Sequence, residues 1–300
     1  MNQNPSLPYL WMLCGSLSFA AMAALTHALR GTCDWQIIAL VRAFIACAIA
    51  VLLAKAAGAE LVLWRPATMW MRSIAGSISM VCSFYAFTHL RISDVMTLTN
   101  TFPIWVALLS WPLLRQAPGL AVWVSVVSGV AGVALIQQPH FQDGNLAAGI
   151  ALLASFATAV AMIGLHRLVN IDMRAVVAHF SGVAVLFCLA SFLVFDHDFT
   201  VSDNFSRHNL GLLLAIGLTA TVGQLFLTKA FAAGPPAKVS VVGLTQIVFA
   251  MLIDAIFWQH TFDTPTLLGM GLVIAPTAWL LTRTGHVEPS PALPFDGHQE

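Results

Sequence analysis

The chain has 300 residues, of which 59% are hydrophobic and 9% charged, and its thirteen basic and thirteen acidic side chains cancel to a formal charge of zero. A soluble domain carries about a quarter charged residues, so that class is excluded, and a neutral chain without a basic stripe offers nothing to a nucleic acid. Runs free of Asp, Glu, Lys and Arg cover positions 1–29, 73–90, 95–114, 116–142, 144–166, 175–195, 208–228 and 264–282. A bilayer crossing takes about 20 residues, so the pattern describes an all-α integral membrane protein.

Ten transmembrane helices are predicted, at about 8–29, 35–57, 67–89, 93–114, 118–137, 146–167, 174–196, 208–232, 237–258 and 265–283. The leader of the first, Met1 to Leu7, has no Lys or Arg, so this helix reads as a retained span and not a secretory signal. Mid-depth it carries Ser18. The second follows the loop Arg30-Gly31-Thr32-Cys33-Asp34 and holds Arg42 about two turns inside, where the alternatives are a structural bond to carbonyls or headgroups and anion recognition or gating. The third brings Ser79 and Ser83 to mid-depth, and Arg72 near its start reads as a snorkelling anchor.

In the fourth helix Thr97, Asn100, Thr101 and Ile104 share one face, Trp105 caps that face toward the cytoplasm, and Pro103 permits a kink. Asp94 falls in its first turn, where capping is one reading and proton coupling, together with Asp254, His27 or His89, is the other. The fifth helix has a small-residue stripe, Ala121, Ser125 and Gly129, suited to close contact within the protein or in a homodimer. Ser155 and Thr158 mark the sixth. His179 in the seventh stands where Arg42 stands in the second and reads as a satisfied core histidine. The eighth repeats Gly217, Thr221, Gln224 and Thr228 on one face, and the ninth offers Thr245 and Gln246. Residues 285–300, with Pro289, Pro291 and Pro294, read as a disordered tail.

Polar side chains at these depths are expected to face the bundle interior. The substrate-cavity candidates are therefore Ser18, Ser79, Ser83, Thr97, Asn100, Thr101, Trp105, Thr158, Thr221, Gln224 and Gln246, with Arg42, Arg72, Asp94 and Pro103 as gating or charge-coupling candidates. Apart from those charges the pocket is expected to be uncharged. A serine or threonine can instead bond back to its own backbone, whereas the amides of Asn100, Gln224 and Gln246 have donors and acceptors that one carbonyl cannot satisfy. The five cysteines lie singly, without metal-ligand spacing, so no metal and no disulfide framework is expected. Trp11, Trp35, Trp64, Trp70, Trp111 and Trp258 fall near helix ends, as interfacial rings do. Lys55, Arg65, Arg115, Arg167, Arg174, Lys238 and Arg283 collect on one side against Arg30, Arg91 and Arg207, which places both termini in the cytoplasm.

Sliding the chain on itself matches Ser18-Phe19-Ala20 with Ser155-Phe156-Ala157 at a shift of 137, and Ala86-Phe87, Val95 and Thr101 with Ala230-Phe231, Val239 and Thr245 at a shift of 144. Five helices per unit is an odd number, so the second copy must enter the membrane inverted. The predicted organisation is two inverted five-helix repeats, 1–140 and 141–284. Such halves can exchange conformations and open a midplane site to each face in turn.

The Arg42-Ala43-Phe44 start, the stretch from Arg72-Ser73-Ile74-Ala75-Gly76 to Phe84-Tyr85-Ala86-Phe87, Ile92-Ser93-Asp94-Val95 continuing to Thr101-Phe102-Pro103-Ile104-Trp105-Val106-Ala107, and Ser128-Gly129-Val130-Ala131-Gly132 together resemble the EamA type of the drug/metabolite transporter superfamily. The chain departs from that pattern where Leu114-Arg115 and Trp258-Gln259 stand in place of Gly-Glu, and where Ile247 stands at the shift of Pro103. The resemblance implies a secondary transporter in the inner membrane, without a cofactor, moving an amino acid, a nucleoside-like or a drug-like solute. A membrane-embedded enzyme, a channel and a receptor are the competing classes. Neither a G-x-x-x-x-G-K-[ST] loop nor an H-E-x-x-H or G-x-S-x-G motif occurs.

Overall fold

The computed structural model describes residues 6–29, 32–64, 66–90, 92–139, 146–194, 206–259 and 261–283, and every regular element among them is helical. Arg30, Arg65, Arg91, the boundary near 140 and the tail 285–300 lie outside the described residues. The elements are α1 (Leu7–Ala28), α2 (Trp35–Ala56), α3 (Ala67–His89), α4 (Ile92–Thr99), α5 (Phe102–Leu114), α6 (Leu120–Gln137), α7 (Leu146–His166), α8 (Met173–Val194), α9 (Arg207–Ala233), α10 (Pro236–Gly243), α11 (Thr245–Trp258) and α12 (Thr264–Arg283). Eight segments are long and apolar enough to cross a membrane, counting α10 and α11 as one. Serines and Arg72 make α3 too polar for that group despite its 23 residues.

Two expected helices are each broken in two. The fourth divides at Asn100 and Thr101, where Pro103 lacks the N–H that an unbroken helix would direct at Thr99. The ninth divides at Leu244 with no proline nearby. A hydroxyl is common to both breaks: Thr101 Oγ1 donates to Leu98 O at 2.6 Å, and Thr245 Oγ1 donates to Val242 O at 2.7 Å. Such a bond competes with the helical ladder, and tighter i→i−3 backbone bonds carry the chain past, Thr101 N to Leu98 O at 3.2 Å and Leu244 N to Val241 O at 3.1 Å. The segments α4 and α10 begin and end 144 residues apart. After each pair the helix closes on a left-handed residue, Arg115 and Gln259, both at φ 54° and again 144 apart.

The most extensive packing joins one helix of the first six to one of the last six: α3 with α7, α1 with α9, α2 with α8, and α6 with α12. Next come α3 with α8 and α2 with α9, then α1 with α11 and α5 with α7. The two halves of the chain therefore interleave around α1, α3, α7 and α9, where Tyr9, Met12, Met69, Leu165 and Phe231 are buried. On the outside, Leu193, Leu120 and Ile256 are 89%, 80% and 74% exposed, a surface that suits acyl chains.

Gly129 of the small-residue stripe packs against Leu244, between α10 and α11, and Gly132 packs against α12. Ser125 and Gly129 are buried and Gly132 extends the stripe, whereas Ala121 is exposed and does not take part. Backbone meets backbone here, because a Cβ on Gly132 would lie 2.6 Å from Gly269 O and one on Gly269 would lie 2.5 Å from Gly132 O. Asp263 caps α12, its Oδ1 accepting from Thr266 N at 3.0 Å. Hydrogen bonds from Thr266 and Gln138 hold its carboxyl below the usual value of 3.8.

Candidate functional site

Two polar clusters emerge from the helix faces. The first lies along α7. Thr158 spends its proton on Ala154 O at 2.9 Å, so the 2.5 Å contact with Ser79 of α3 is donated by Ser79. Thr101 likewise spends its proton on Leu98 O, so Ser155 donates across 2.8 Å to Thr101. One turn further, Trp105 meets the Phe156 ring edge to face, with centroids 5.6 Å apart. Every hydroxyl in this cluster is committed to protein, and it acts as a seam between α7 and the helices α3 to α5.

The second cluster joins α2, α3, α8 and α9. Arg72 is 2% exposed, which overturns its reading as a snorkelling anchor. Gly76 is the physical reason: it lies one turn on, and a Cβ there would overlap the guanidinium and come within 2.8 Å of the Phe180 ring. The guanidinium therefore lies forward along its own helix over Gly76, with its carbon 4.1 Å from the Phe180 centroid, and Nη2 donates to Gln224 Oε1 at 3.2 Å. Its Nε is buried without a partner. A desolvated cation over a ring gains about 2 kcal/mol, which offsets part of the cost of burying the charge.

Beside Phe180 and Gln224 lies a small cavity with about 10 Å³ open to a water-sized molecule, room for about one water, lined also by Arg42, Ala46, Met80 and Ser181. Of the charged candidates Arg42 forms part of its wall. It does not bond to carbonyls: it makes no hydrogen bond or ion pair among the described residues. Below the cavity His179 is satisfied on both ring nitrogens. Leu63 O can only accept, so Nε2 donates to it at 3.2 Å, and Nδ1 accepts from Ser73 at 2.7 Å.

The remaining predicted residues do not converge on this cavity. Thr97, Asn100 and Ser18 return to their own backbones, at Ser93 O, Met96 O and Cys14 O over 2.8, 2.7 and 2.9 Å. Thr221 does the same at Gly217 O, although the stripe it shares with Gln224 and Thr228 is buried as expected. Ser83 and Gln246 are half-buried and make no hydrogen bond among the described residues. Asp94 is buried in the first turn of α4, and Pro103 is buried at the start of α5. Lys229 and Trp11 pair in a cation–π contact at 4.2 Å, so that tryptophan packs inward. The sequence reading missed Phe180, Ser181 and Met80. Ser181, two residues from His179 on an apolar helix, was the available signal.

Comparison with known proteins adds a second line of evidence. The description "EamA-like transporter family" matches the chain twice, over residues 6–138 and 145–282. The chain is 28% identical over 271 residues to the pseudopaline exporter CntI of Pseudomonas aeruginosa, covering 90% of this chain and 93% of that one. It is 26% identical over 220 residues to human solute carrier family 35 member G1, covering 68% and 59%. A probable biotin transporter of Pseudomonas aeruginosa shares 25% over 220 residues, covering 71% and 76%. One solved structure superposes with a TM-score of 0.82 at 15% identity, over 95% of this chain and 100% of that one, and so shares the fold.

Proposed function

Because the chain belongs to the EamA-like transporter family, we propose that it is a secondary transporter of a small organic metabolite, working by alternating access between two inverted five-helix repeats. The observation that carries this reading is the double family match, one in each half of a single chain. The matching bounds of α4 and α10 and the left-handed closures at Arg115 and Gln259 support the repeat. So does the reciprocity of the packing: α1 with α9 mirrors α7 with α3, and α11 with α1 mirrors α5 with α7. The repeats are assigned to 1–140 and 141–284. Residues 285–300 then form a cytoplasmic tail, and both termini face the cytoplasm across an inner membrane.

A rocking motion needs a central site and two seams that open alternately. The cavity between α2, α3, α8 and α9 is the central site in this reading, with Arg42 and Gln224 in its wall. The Ser79–Thr158 and Thr101–Ser155 bonds hold one seam, while Asn100 and Gln246 stand at the broken helices whose movement gates access. The test is direct. Purified protein is screened by thermal shift against a metabolite library, and the stabilising solutes are offered to proteoliposomes. Saturable uptake that falls roughly tenfold in Gln246→Leu, about 1.4 kcal/mol of lost interaction, is expected. Chemical conversion of a stabilising solute without uptake would replace the transporter with an enzyme.

A further inference from the structure

We propose that the cavity between α2, α3, α8 and α9 is a carboxylate site, and that the transported solute is an organic anion. The inference rests on the transporter reading for its setting and on the cavity for its chemistry. Arginine stays protonated inside proteins, so Arg42 and Arg72 bring two fixed positive charges to the middle of the bundle. Neither has a carboxylate within ion-pair distance among the described residues, where the one salt bridge is Arg174 with Asp172. Arg72 is answered only by a neutral amide oxygen and a ring, and its Nε is unpartnered.

Arg72 also dictates which end of Gln224 is offered. A guanidinium only donates, so the atom facing it must be Oε1, and the amide NH2 is left for other partners. The cavity thus gathers donors, with Arg42 and Gln224 supplying N–H groups and Ser181 a hydroxyl, and no carboxylate lines it. A group that only accepts is the complement of such a wall. Carboxylate and phosphate both fit the guanidinium fork. The rest of the wall favours the carboxylate: Ala43, Ala46, Met80, Ala184 and Ala220 would border its carbon skeleton once the helices part to admit it, whereas phosphate would need polar partners around more of its surface.

The experiment uses the purified full chain in detergent and in proteoliposomes. Thermal shift is recorded with aliphatic carboxylates from acetate to adipate and with amino acids, each beside its primary amide, and with inorganic phosphate. Carboxylates are expected to stabilise the protein and their amides not, with roughly tenfold weaker affinity in Arg42→Gln and a smaller loss in Arg42→Lys. Gln224→Glu places a permanent counter-ion against Arg72. This variant is expected to raise the melting temperature without ligand and to abolish the carboxylate response, so it reports even if Arg72→Gln fails to fold. Equal stabilisation by acid and amide, stabilisation by phosphate alone, no response to any carboxylate, or a wild-type response in Gln224→Glu would each overturn the proposal. Uptake of a neutral solute that Arg42→Gln leaves unchanged overturns the anion and keeps the transporter. Carboxylate binding without flux keeps the site and removes the transporter.

Discussion

In the proposed repeat the contact of α7 with α3 and that of α1 with α9 occupy corresponding places, yet they are made of different materials. Across α7 and α3 the hydroxyls of Ser79 and Thr158 meet at 2.5 Å. A shift of 144 carries Ser79 onto Gly223, and a shift of 137 carries Thr158 back onto Ala21. The second seam is accordingly dry. A Cβ on Gly223 would lie 2.8 Å from the Phe19 ring, and Gly15 lies against the Gly223 carbonyl. Ser18, the counterpart of Ser155, bonds its own backbone at Cys14. One seam is held by directional bonds and the other by shape, so equal movements of the two need not cost the same.

The largest expected effect comes from breaking the shape-held seam. Gly223→Leu drives a side chain into Phe19 and is expected to cost about 1–3 kcal/mol, read as a lower melting temperature in detergent; an unchanged value would mean that α1 and α9 are loosely apposed. On the bonded side, Thr158→Val leaves Ser79 without its acceptor. The expected loss there is about 0.6 kcal/mol and at most roughly 1.7, with opening of α7 against α3 followed by hydrogen exchange. A loss as large as that at Gly223 would erase the contrast.

A smaller gain sharpens the likeness between the halves. Arg115→Gly and Gln259→Gly each relieve a left-handed backbone, and both are expected to stabilise by a few tenths to about 1 kcal/mol. Unequal gains would show that the two closures are alike only in angle. Least of all is the effect at Asp263. Its carboxyl is held below 3.8 by its hydrogen bonds, so the stability it adds is present above that value and fades as pH falls through the folded-state value. Asp263→Asn should match wild type in strong acid and differ from it slightly near neutrality, as melting curves across pH would show.

Helix positions were legible because hydropathy and charge spacing act locally, and α3 lies where the sequence placed it. The breaks were harder to read. Pro103 marked one of them, but no proline lies near the break at Leu244, and Thr101 and Thr245 look ordinary in a list of polar residues. Arg72 was placed at the right depth and given the wrong direction. Its own helix held the clue in Gly76, which leaves the guanidinium room to fold inward. Its bond to Gln224 spans 152 residues of chain, and no local pattern in a single sequence carries that distance. The hydroxyl pairs of α7 were hidden in the same way, since each partner taken alone satisfies itself equally well on its own backbone.

The glycine crossing of α6 and α12 bears on how the halves can move. Where two main chains touch with nothing between them, no torsion remains to absorb sliding, and separation would open a void. Rotation about the point of contact is the freedom left. In the alternating-access motion proposed above these two helices would form a fulcrum, and a swing that carries the central cavity from one face of the membrane to the other would leave Gly132 and Gly269 almost where they stand.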